Sequence, residues 1–393
     1  MSSHYFYLIG EEVAPIWGLT TKERFERILT RQGDWQAVTD LSRIERNDRV
    51  LLLRADYLLD ERIIQGLLKS DQVVLVANGR PVAAMANGAE ASEWIPILAG
   101  ETLLPSDVRT LTPAQAASSF HNKLRKASPP FALEITPANI RSLEHHLFNE
   151  AYKGVTDLIT KWVWPRPAEQ VVRGCVKLGI RPNHVTAFSW VLVIAATGLF
   201  VAGQLGWGLL AGWLMTFLDT VDGKLARVTL DASKLGHYLD HILDIVHPPF
   251  WYLAWGLGLA FYEPVLLKTS VPGGFYILLG GYVGGRAIEG LFKRFLGRFG
   301  IFSWRPVDSI SRLITARRNP CLILLTLGLV AGRPDLGLEA VILWTLLSTA
   351  FLLIRLTMGI QARLTGESLE SWLQKPEEEN PDHPAVRWFA PRD

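Results

Sequence analysis

Six apolar segments constrain the fold of this chain more than any other feature of its sequence. They lie near residues 184–203, 206–227, 236–262, 273–295, 319–332 and 336–360. Each is about long enough to cross a bilayer core of roughly 30 Å, and an apolar run of that length is typical of a transmembrane helix. The sequence therefore predicts a polytopic α-helical membrane bundle of six transmembrane helices over residues 184–363.

Basic residues indicate the orientation of these segments. They cluster before the first segment, between the second and third, and between the fourth and fifth, whereas the other connections hold only Lys268 and Arg333. The positive-inside rule then places both termini and the loop between the second and third segments in the cytoplasm. We expect an integral protein of the cell or inner membrane. A net charge of +2 gives no reason to expect a nucleic-acid partner.

Residues 1–135 have a different pattern. Short apolar runs at Tyr5–Ile9, Val50–Leu53 and Val73–Ala77 alternate with helical stretches around 21–31, 61–69 and 112–125. This alternation predicts a small soluble α/β domain with a mainly parallel sheet. Residues 136–183 are expected to form a linker and, over 140–163, a juxtamembrane amphipathic helix that ends before Pro165 and Pro167. Residues 364–393 are expected to form a polar C-terminal tail.

An acidic pattern, DxxDGxxARx8GxxxDxxxD, falls within the second and third apolar segments. Its residues are Asp219, Asp222, Gly223, Ala226, Arg227, Gly236, Asp240 and Asp244. Ionised side chains beside hydrocarbon are costly and like charges repel, so four carboxylates persist there only with cations and polar ligands. At about 100° per residue, the first five residues share a helix face of roughly 140° and the last three share another. Two facing helices would therefore offer a metal site.

The ligand chemistry narrows the choice of metal and reaction. Carboxylates are hard oxygen donors and neither cysteine is nearby, which favours Mg²⁺ or Mn²⁺ over zinc or iron. Four carboxylates are enough for two ions. Paired divalent ions suit displacement at phosphorus, and Arg227 can neutralise a phosphate oxygen. The pattern therefore favours phosphoryl transfer.

This acidic pattern resembles the signature of the CDP-alcohol phosphotransferase family, with all eight positions at the family's spacing. The resemblance implies that Asp219, Asp222 and Asp240 bind two divalent ions, and that Asp244 lies near the metals and acts as general base. It also implies that signature Gly, Ala and Arg residues line the CDP moiety, here Gly223, Ala226, Arg227 and Gly236. The segment from Arg181 to Thr186 is similar to the family's PNxxT entry to the first membrane helix, so Asn183 and Thr186 are further nucleotide contacts. The family is often dimeric, which implies a homodimer.

The N-terminal domain carries a fainter resemblance. The stretch around Asp56 is similar to the metal-aspartate strand of sugar-nucleotide and cytidylyl transferases. Such enzymes open with a glycine-rich loop and a basic residue that bind the triphosphate, but residues 9–14 have neither the glycine pair nor the arginine. We interpret the domain as a degenerate nucleotidyltransferase-like domain with a structural or regulatory role.

The resemblance implies a CDP-alcohol donor and a hydroxyl acceptor as substrates. Fusion of a nucleotidyltransferase-like domain to such a bundle resembles bifunctional enzymes of inositol phosphate metabolism, so the acceptor could be phosphorylated, such as an inositol or glycerol phosphate. Arg286, within the fourth segment, and Arg317 and Arg318, in the following loop, are the candidates for its phosphate. For the loop arginines, topology and lipid headgroups are an equal alternative.

A second class of function remains open from the sequence. A non-catalytic membrane protein, or an ion-coupled transporter, could retain such a cation site, because carboxylates near the midplane also occur in transporters. A transporter does not need the Asp-Gly and Ala-Arg spacing, whereas an enzyme that binds a nucleotide does. The complete signature therefore favours the enzyme.

Overall fold

The computed structural model describes residues 3–261 and 271–390, with all their side chains except those of residues 43, 234, 235, 237, 239–241, 243, 261, 271 and 272. The chain divides into two compact units. The first comprises Met1–His121, Ser128–Ala151 and Arg227–Leu230, and the second comprises Asn122–Ala127, Tyr152–Ala226 and Asp231–Asp393. The end of the second predicted membrane segment therefore groups with the N-terminal part of the chain.

The first unit is built on a six-stranded sheet in the order β2-β1-β3-β6-β5-β7. The strands of this unit and of the loop that follows are β1 (His4–Ile9), β2 (Trp35–Ala37), β3 (Arg49–Arg54), β4 (Tyr57–Leu59), β5 (Val73–Ala77), β6 (Arg80–Asn87), β7 (Thr110–Leu111), β8 (Phe120–His121), β9 (Lys126–Ala127) and β10 (Ala132–Glu134). Strand β10 pairs with β4 outside the main sheet. The predicted α/β architecture of this unit is present.

As predicted, the described sheet is mainly parallel, with β6 as its one reversed strand. Strand β6 is antiparallel to both of its neighbours, β3 and β5, while β1 is parallel to β2 and β3. The cause is the two-residue connection Asn78-Gly79, in which both residues have positive φ (51° and 77°). Such a turn matches the twist of a hairpin and forces the two strands to run antiparallel.

Helices of the first unit cover both faces of the sheet. They are α1 (Thr21–Thr30), α2 (Glu61–Leu68), α3 (Trp94–Ala99), α4 (Pro113–Ala116) and α5 (Ile140–Glu150). Thr20 caps α1 in a capping box with Glu23. Leu51 and Leu53 pack into the core on one face, and Val50 and Leu52 pack on the other, as the alternation of a strand requires. The predicted helix over 112–125 is wrong beyond Ala116, because the chain turns there and Ser128 N–H bonds to the Ser119 carbonyl.

The predicted helix over 140–163 is broken. Its first part is α5, and residues 159–163 form a separate turn of π-helix. Between them, the amides of Gly154 and Val155 donate to the carbonyls of Leu124 and Arg125. A Cβ at position 154 would lie 2.6 Å from the Arg125 oxygen, so this crossing requires glycine. Helix α6 (Pro165–Lys177) then begins at Pro165, since proline is favoured in the first turn of a helix.

Among the described residues, eight further α-helices follow. They are α7 (Pro182–Val201), α8 (Leu205–Val228), α9 (Lys234–Gly258), α10 (Val271–Leu291), α11 (Pro306–Ile314), α12 (Arg318–Val330), α13 (Pro334–Leu364) and α14 (Pro384–Phe389). All six apolar segments fold as helices, α7 to α10, α12 and α13. Within the described residues, α7 and α13 are long and apolar enough to cross a membrane, and α11 with α12, bent by 44°, could form a third span. The count of six spans stays a prediction.

The bundle has an aromatic core and an apolar surface. Phe200, Trp251 and Trp255 are buried together, and the indole N–H groups of the two tryptophans donate to the carbonyls of Val193 and Pro334. On the outside, α7 and α13 expose apolar side chains such as Ile194 (70%). Exposed apolar faces of this extent suit contact with lipid rather than water.

Part of the predicted polar C-terminal tail packs against the bundle. Trp372, Leu373 and Phe389 are buried. The indole N–H of Trp372 donates to Ser309 Oγ at 2.9 Å, and its amide donates to the Trp304 carbonyl. Several apolar residues among the charges of 372–389 are therefore buried, and Trp372 contacts α11.

A buried ion pair joins α11 to α13. Arg355 Nε and Nη2 donate to Asp308 Oδ1 and Oδ2 at 2.5 and 2.9 Å. Removal of one partner leaves an uncompensated buried charge, so we expect Asp308→Ala to lower the free energy of unfolding by about 3–5 kcal/mol, measured by unfolding in detergent. Asp382→Ala, which breaks an exposed pair with Arg387, is the control and should change nothing measurable. Equal behaviour of the two variants would contradict this prediction.

Candidate functional site

The acidic signature forms a helix–turn–helix. Asp219, Asp222, Gly223, Ala226 and Arg227 lie on the last three turns of α8, and Gly236, Asp240 and Asp244 lie on the first three turns of α9. The Asp231 amide donates to the Ala226 carbonyl as α8 ends, and Ser233 Oγ accepts from the Gly236 amide at 2.8 Å as α9 begins. The turn thus brings two consecutive helices to the same end of the bundle. The side chain of Asp240 lies outside the described residues.

Asp222 is the most enclosed of the described signature carboxylates. It is 3% exposed, and its Oδ2 accepts a hydrogen bond from Thr186 Oγ1 at 2.6 Å. Its Oδ1 is buried with no hydrogen-bond partner among the described residues. A buried carboxylate oxygen without a donor is costly unless a cation binds it.

A single guanidinium connects the carboxylates of the two helices. Arg318, the first residue of α12, donates from Nη2 to Asp219 Oδ2 at 2.5 Å and from Nη1 to Asp244 Oδ1 at 3.1 Å. The charged side chain of Arg318 thus contacts a carboxylate of each signature helix. Among the described side chains, which exclude Asp240, no group of three or more His, Cys, Asp or Glu residues could hold a metal ion.

The start of α7 meets the start of α9. Asn183 Oδ1 accepts from Ser233 Oγ at 3.1 Å, and a Cβ at position 236 would lie 2.3 Å from the same Asn183 oxygen. Gly236 is therefore required by close approach of Asn183 rather than by its φ. Thr186 in turn donates to Asp222. Asn183 and Thr186, the two nucleotide contacts predicted from residues 181–186, therefore both lie beside the signature. Gly223, Ala226 and Arg227 are partly exposed.

A small cavity of about 20 Å³ lies between α10, α13 and the junction of α11 with α12. Arg286 and Arg317 line it. Arg286 Nη2 is 3.3 Å from Tyr282 Oη, which donates to the Ile245 carbonyl beside Asp244, and Arg317 forms an ion pair with Glu289. Of the three arginines predicted for an acceptor phosphate, two share this cavity, while Arg318 lies on the carboxylates instead.

Two buried cations near the site were not predicted as site residues. Lys224, within the signature, is 2% exposed and its ammonium lies 3.3 Å from the centre of the Tyr152 ring. Arg312 on α11 is 9% exposed, and its Nε and Nη1 have no hydrogen-bond partner among the described residues. Position 224 is not fixed in the signature pattern and Arg312 is one of several arginines in a basic loop, so no sequence signal distinguishes either residue.

Comparison with known proteins supports the signature. Residues 180–271 match the CDP-alcohol phosphatidyltransferase family. The chain is similar to a phosphatidylinositol phosphate synthase of Mycobacteroides abscessus, with 29% identity over 111 residues, 26% of this chain and 50% of the relative. It is similar to an archaetidylinositol phosphate synthase of Pyrococcus horikoshii, with 35% identity over 82 residues, 20% of this chain and 42% of the relative.

A third relative is a two-function protein. It is a bifunctional IPC transferase and DIPP synthase of Thermococcus kodakarensis, with 32% identity over 133 residues, 30% of this chain and 30% of the relative. The chain thus spans half or less of the length of these relatives. The resemblance drawn from the acidic pattern is confirmed, since the matched region contains all eight of its residues together with Asn183 and Thr186. The part of the chain that carries the signature, residues 180–271, is thus similar to the CDP-alcohol phosphatidyltransferase family.

Proposed function

We propose that this protein transfers a phosphoalcohol group from a CDP-alcohol to a hydroxyl acceptor, with release of CMP, in the synthesis of phospholipids or related phosphodiesters. The observation that carries the proposal is that Asp219 of α8 and Asp244 of α9 are held by the same guanidinium, within a signature whose eight residues are all present. Each helix presents a carboxylate to the same positive charge, which supports a cation site between them. The similar proteins, named as synthases and transferases, support this chemistry.

The donor set fits divalent cations. Asp219, Asp222 and Asp240 would hold two Mg²⁺ or Mn²⁺ ions, with Asp244 nearby. The buried Asp222 Oδ1 has no hydrogen-bond donor among the described residues, and a bound cation would satisfy it. When bound, such ions neutralise charge on the diphosphate and on the leaving phosphate oxygen. Thr186 donates a hydrogen bond to Asp222 Oδ2, which orients the carboxylate and so fixes the direction of Oδ1.

The nucleotide would lie along the small residues of the signature. Gly223 and Ala226 have small side chains, so a nucleotide could approach this face of α8 closely. Arg227, on the last turn of α8, would bind phosphate oxygens. Asn183 and Thr186, on the first turns of α7, would border the nucleotide. Gly236 keeps α9 within reach of Asn183. These contacts would select a cytidine diphosphate donor and orient its β phosphorus.

Asp244 is the proposed general base. Its side chain is 44% exposed, whereas that of Asp219 is 15% exposed, so an acceptor hydroxyl can approach Asp244. Deprotonation by Asp244 makes the acceptor oxygen a nucleophile that attacks the β phosphorus as CMP leaves. Arg318, bound to the other side of the carboxylate, keeps it in position.

The acceptor would be a phosphorylated alcohol, such as an inositol or glycerol phosphate. Arg286 and Arg317 line the cavity next to α9, and guanidinium groups bind phosphate in bidentate fashion. Tyr282 joins this cavity to the backbone beside Asp244. We further propose that the active site and both termini are cytoplasmic and that the protein is a homodimer.

Product analysis tests the proposed function. The full chain, purified in detergent, is incubated with Mg²⁺, a CDP-alcohol from a panel of lipid and soluble donors, and inositol phosphate or glycerol phosphate. We expect CMP and a phosphodiester product by mass spectrometry, and loss of both on addition of EDTA. Cation flux in liposomes without release of CMP from any donor would instead support a transporter.

Gly236→Ala tests the fit of the nucleotide site. The added methyl would lie 2.3 Å from Asn183 Oδ1 and 2.8 Å from Ser233 Oγ, and forced repacking of this kind costs about 1–3 kcal/mol. We expect KM for the CDP-alcohol to rise about tenfold. Gly280→Ala on α10 is the matched control, because its Cβ would have no atom within 4 Å, and its KM should not change. An unchanged KM in both variants would remove Asn183 and Gly236 from the site.

A further inference from the structure

Three arginines of the first unit bind the end of the signature helix. Arg24, Arg27 and Arg31 follow one another on one side of α1 and at its C-terminal end. Their guanidinium groups donate to three consecutive carbonyls, those of Val228 at 3.2 Å, Thr229 at 2.7 Å and Leu230 at 2.7 Å. The carbonyls at the end of a helix have no intrahelical partner and carry partial negative charge, so they are natural acceptors for cations.

Leu230 is held in an unfavourable backbone conformation at the same place. Its φ is 52°, in the left-handed region where glycine normally ends a helix. Its side chain packs against the core formed by the sheet, α1 and α2 of the first unit. A leucine in this position indicates that burial of the side chain outweighs the backbone cost.

We propose that α1 is a clamp that positions the last turn of the signature helix, and hence Arg227, for the nucleotide. Arg227 is adjacent to Val228, so fixing the carbonyls of residues 228–230 fixes the backbone from which its guanidinium extends. Arg24, Arg27 and Arg31 are positioning residues and do not touch the substrate. This inference rests on the proposed function for the role of Arg227, but not for the clamp itself.

The clamp remains charged at neutral pH. Arg24 is 6% exposed, and burial together with the neighbouring Arg27 lowers its pKa to about 10. Its Nη2 also donates to the Ile16 carbonyl at 3.0 Å, which fixes the guanidinium from the side of the sheet domain. Arg27 and Arg31 are exposed, so their replacement leaves the core of the first unit unchanged.

Hydrogen exchange of the full chain tests the clamp directly. In Arg27→Ala/Arg31→Ala, we expect amides of the peptide covering residues 226–232 to exchange at least about tenfold faster, because two charge-assisted hydrogen bonds are lost. Leu230→Asn, which tolerates the positive φ but removes the apolar anchor, should act in the same direction. Lys22→Ala, also on α1, is the matched control, because Lys22 Nζ pairs with the exposed Glu26. Unchanged exchange in both clamp variants would overturn the proposal.

Nucleotide binding tests the positioning role. With CDP and Mg²⁺ as the probe in calorimetry, we expect Kd to rise about tenfold in both clamp variants and to stay constant in Lys22→Ala. Faster exchange with an unchanged Kd would overturn the positioning of Arg227. A wild-type protein that does not bind CDP would overturn the proposed function, while the exchange experiment would still decide the clamp.

Discussion

Asp244→Asn is expected to lower kcat by about 10²–10⁴-fold, the usual contribution of a general base, while the affinity for CDP with Mg²⁺ stays within about threefold. The amide keeps an oxygen that can accept from Arg318 Nη1, now 3.1 Å from Asp244 Oδ1, so the geometry survives and the base is lost. Single-turnover CMP release and calorimetry measure the two quantities separately.

Asp231→Asn is the matched control for this prediction. It makes the same change of charge in the turn between α8 and α9, at a residue whose backbone amide, not its carboxylate, closes the end of α8. We expect its kcat to equal that of the wild type. Near-normal CMP release from Asp244→Asn would show that another group accepts the proton.

Asp222→Asn is expected to weaken CDP binding in Mg²⁺ by at least about 100-fold, because even indirect partners of a metal site cost 10–100-fold when removed. The substitution keeps an oxygen for Thr186 but removes the charge from the buried Oδ1 position. Measurement of Kd with Mg²⁺ and with EDTA separates metal-dependent binding from direct contacts.

The wild type and Asp222→Asn should differ in how strongly Mg²⁺ increases their affinity for CDP. Wild-type protein should bind CDP much more tightly in Mg²⁺ than in EDTA, whereas Asp222→Asn should bind similarly in both. If Mg²⁺ enhanced binding equally in the two proteins, Asp222 would not be a metal ligand and the assignment of the cation site to this signature would fail.

Sequence reasoning was strongest where a local pattern carries the structure. The six apolar segments fold as helices, and the period of the signature places Asp219 and Asp244 where one guanidinium reaches both. The reversed direction of β6 is also encoded locally, by the Asn78-Gly79 turn. By contrast, the break at Gly154 in the helix predicted over 140–163 depends on hydrogen bonds to residues 124 and 125. These partners are about 30 residues away, so local hydrophobic periodicity does not reveal them.

The same distinction explains the arginines. The adjacent Arg317 and Arg318 are both predicted from the sequence to bind the acceptor phosphate. In the structure, Arg317 pairs with Glu289, whereas Arg318 pairs with Asp219 and Asp244. Side chains of consecutive residues at the start of a helix diverge by about 100°, so neighbours contact different elements. Their partners lie 28 to 99 residues away and could be known only from the packed bundle.

The hairpin of β5 and β6 has a consequence for folding kinetics. Because its two-residue turn joins strands that are adjacent in both sequence and space, it closes with little loss of chain entropy, and isolated hairpins form in about 1–10 μs. Strand β6 also pairs with β3, so this early hairpin offers an edge on which the more distant strands can dock. The N-terminal sheet thus contains a local nucleus that can form during synthesis, before the apolar helices have left the ribosome.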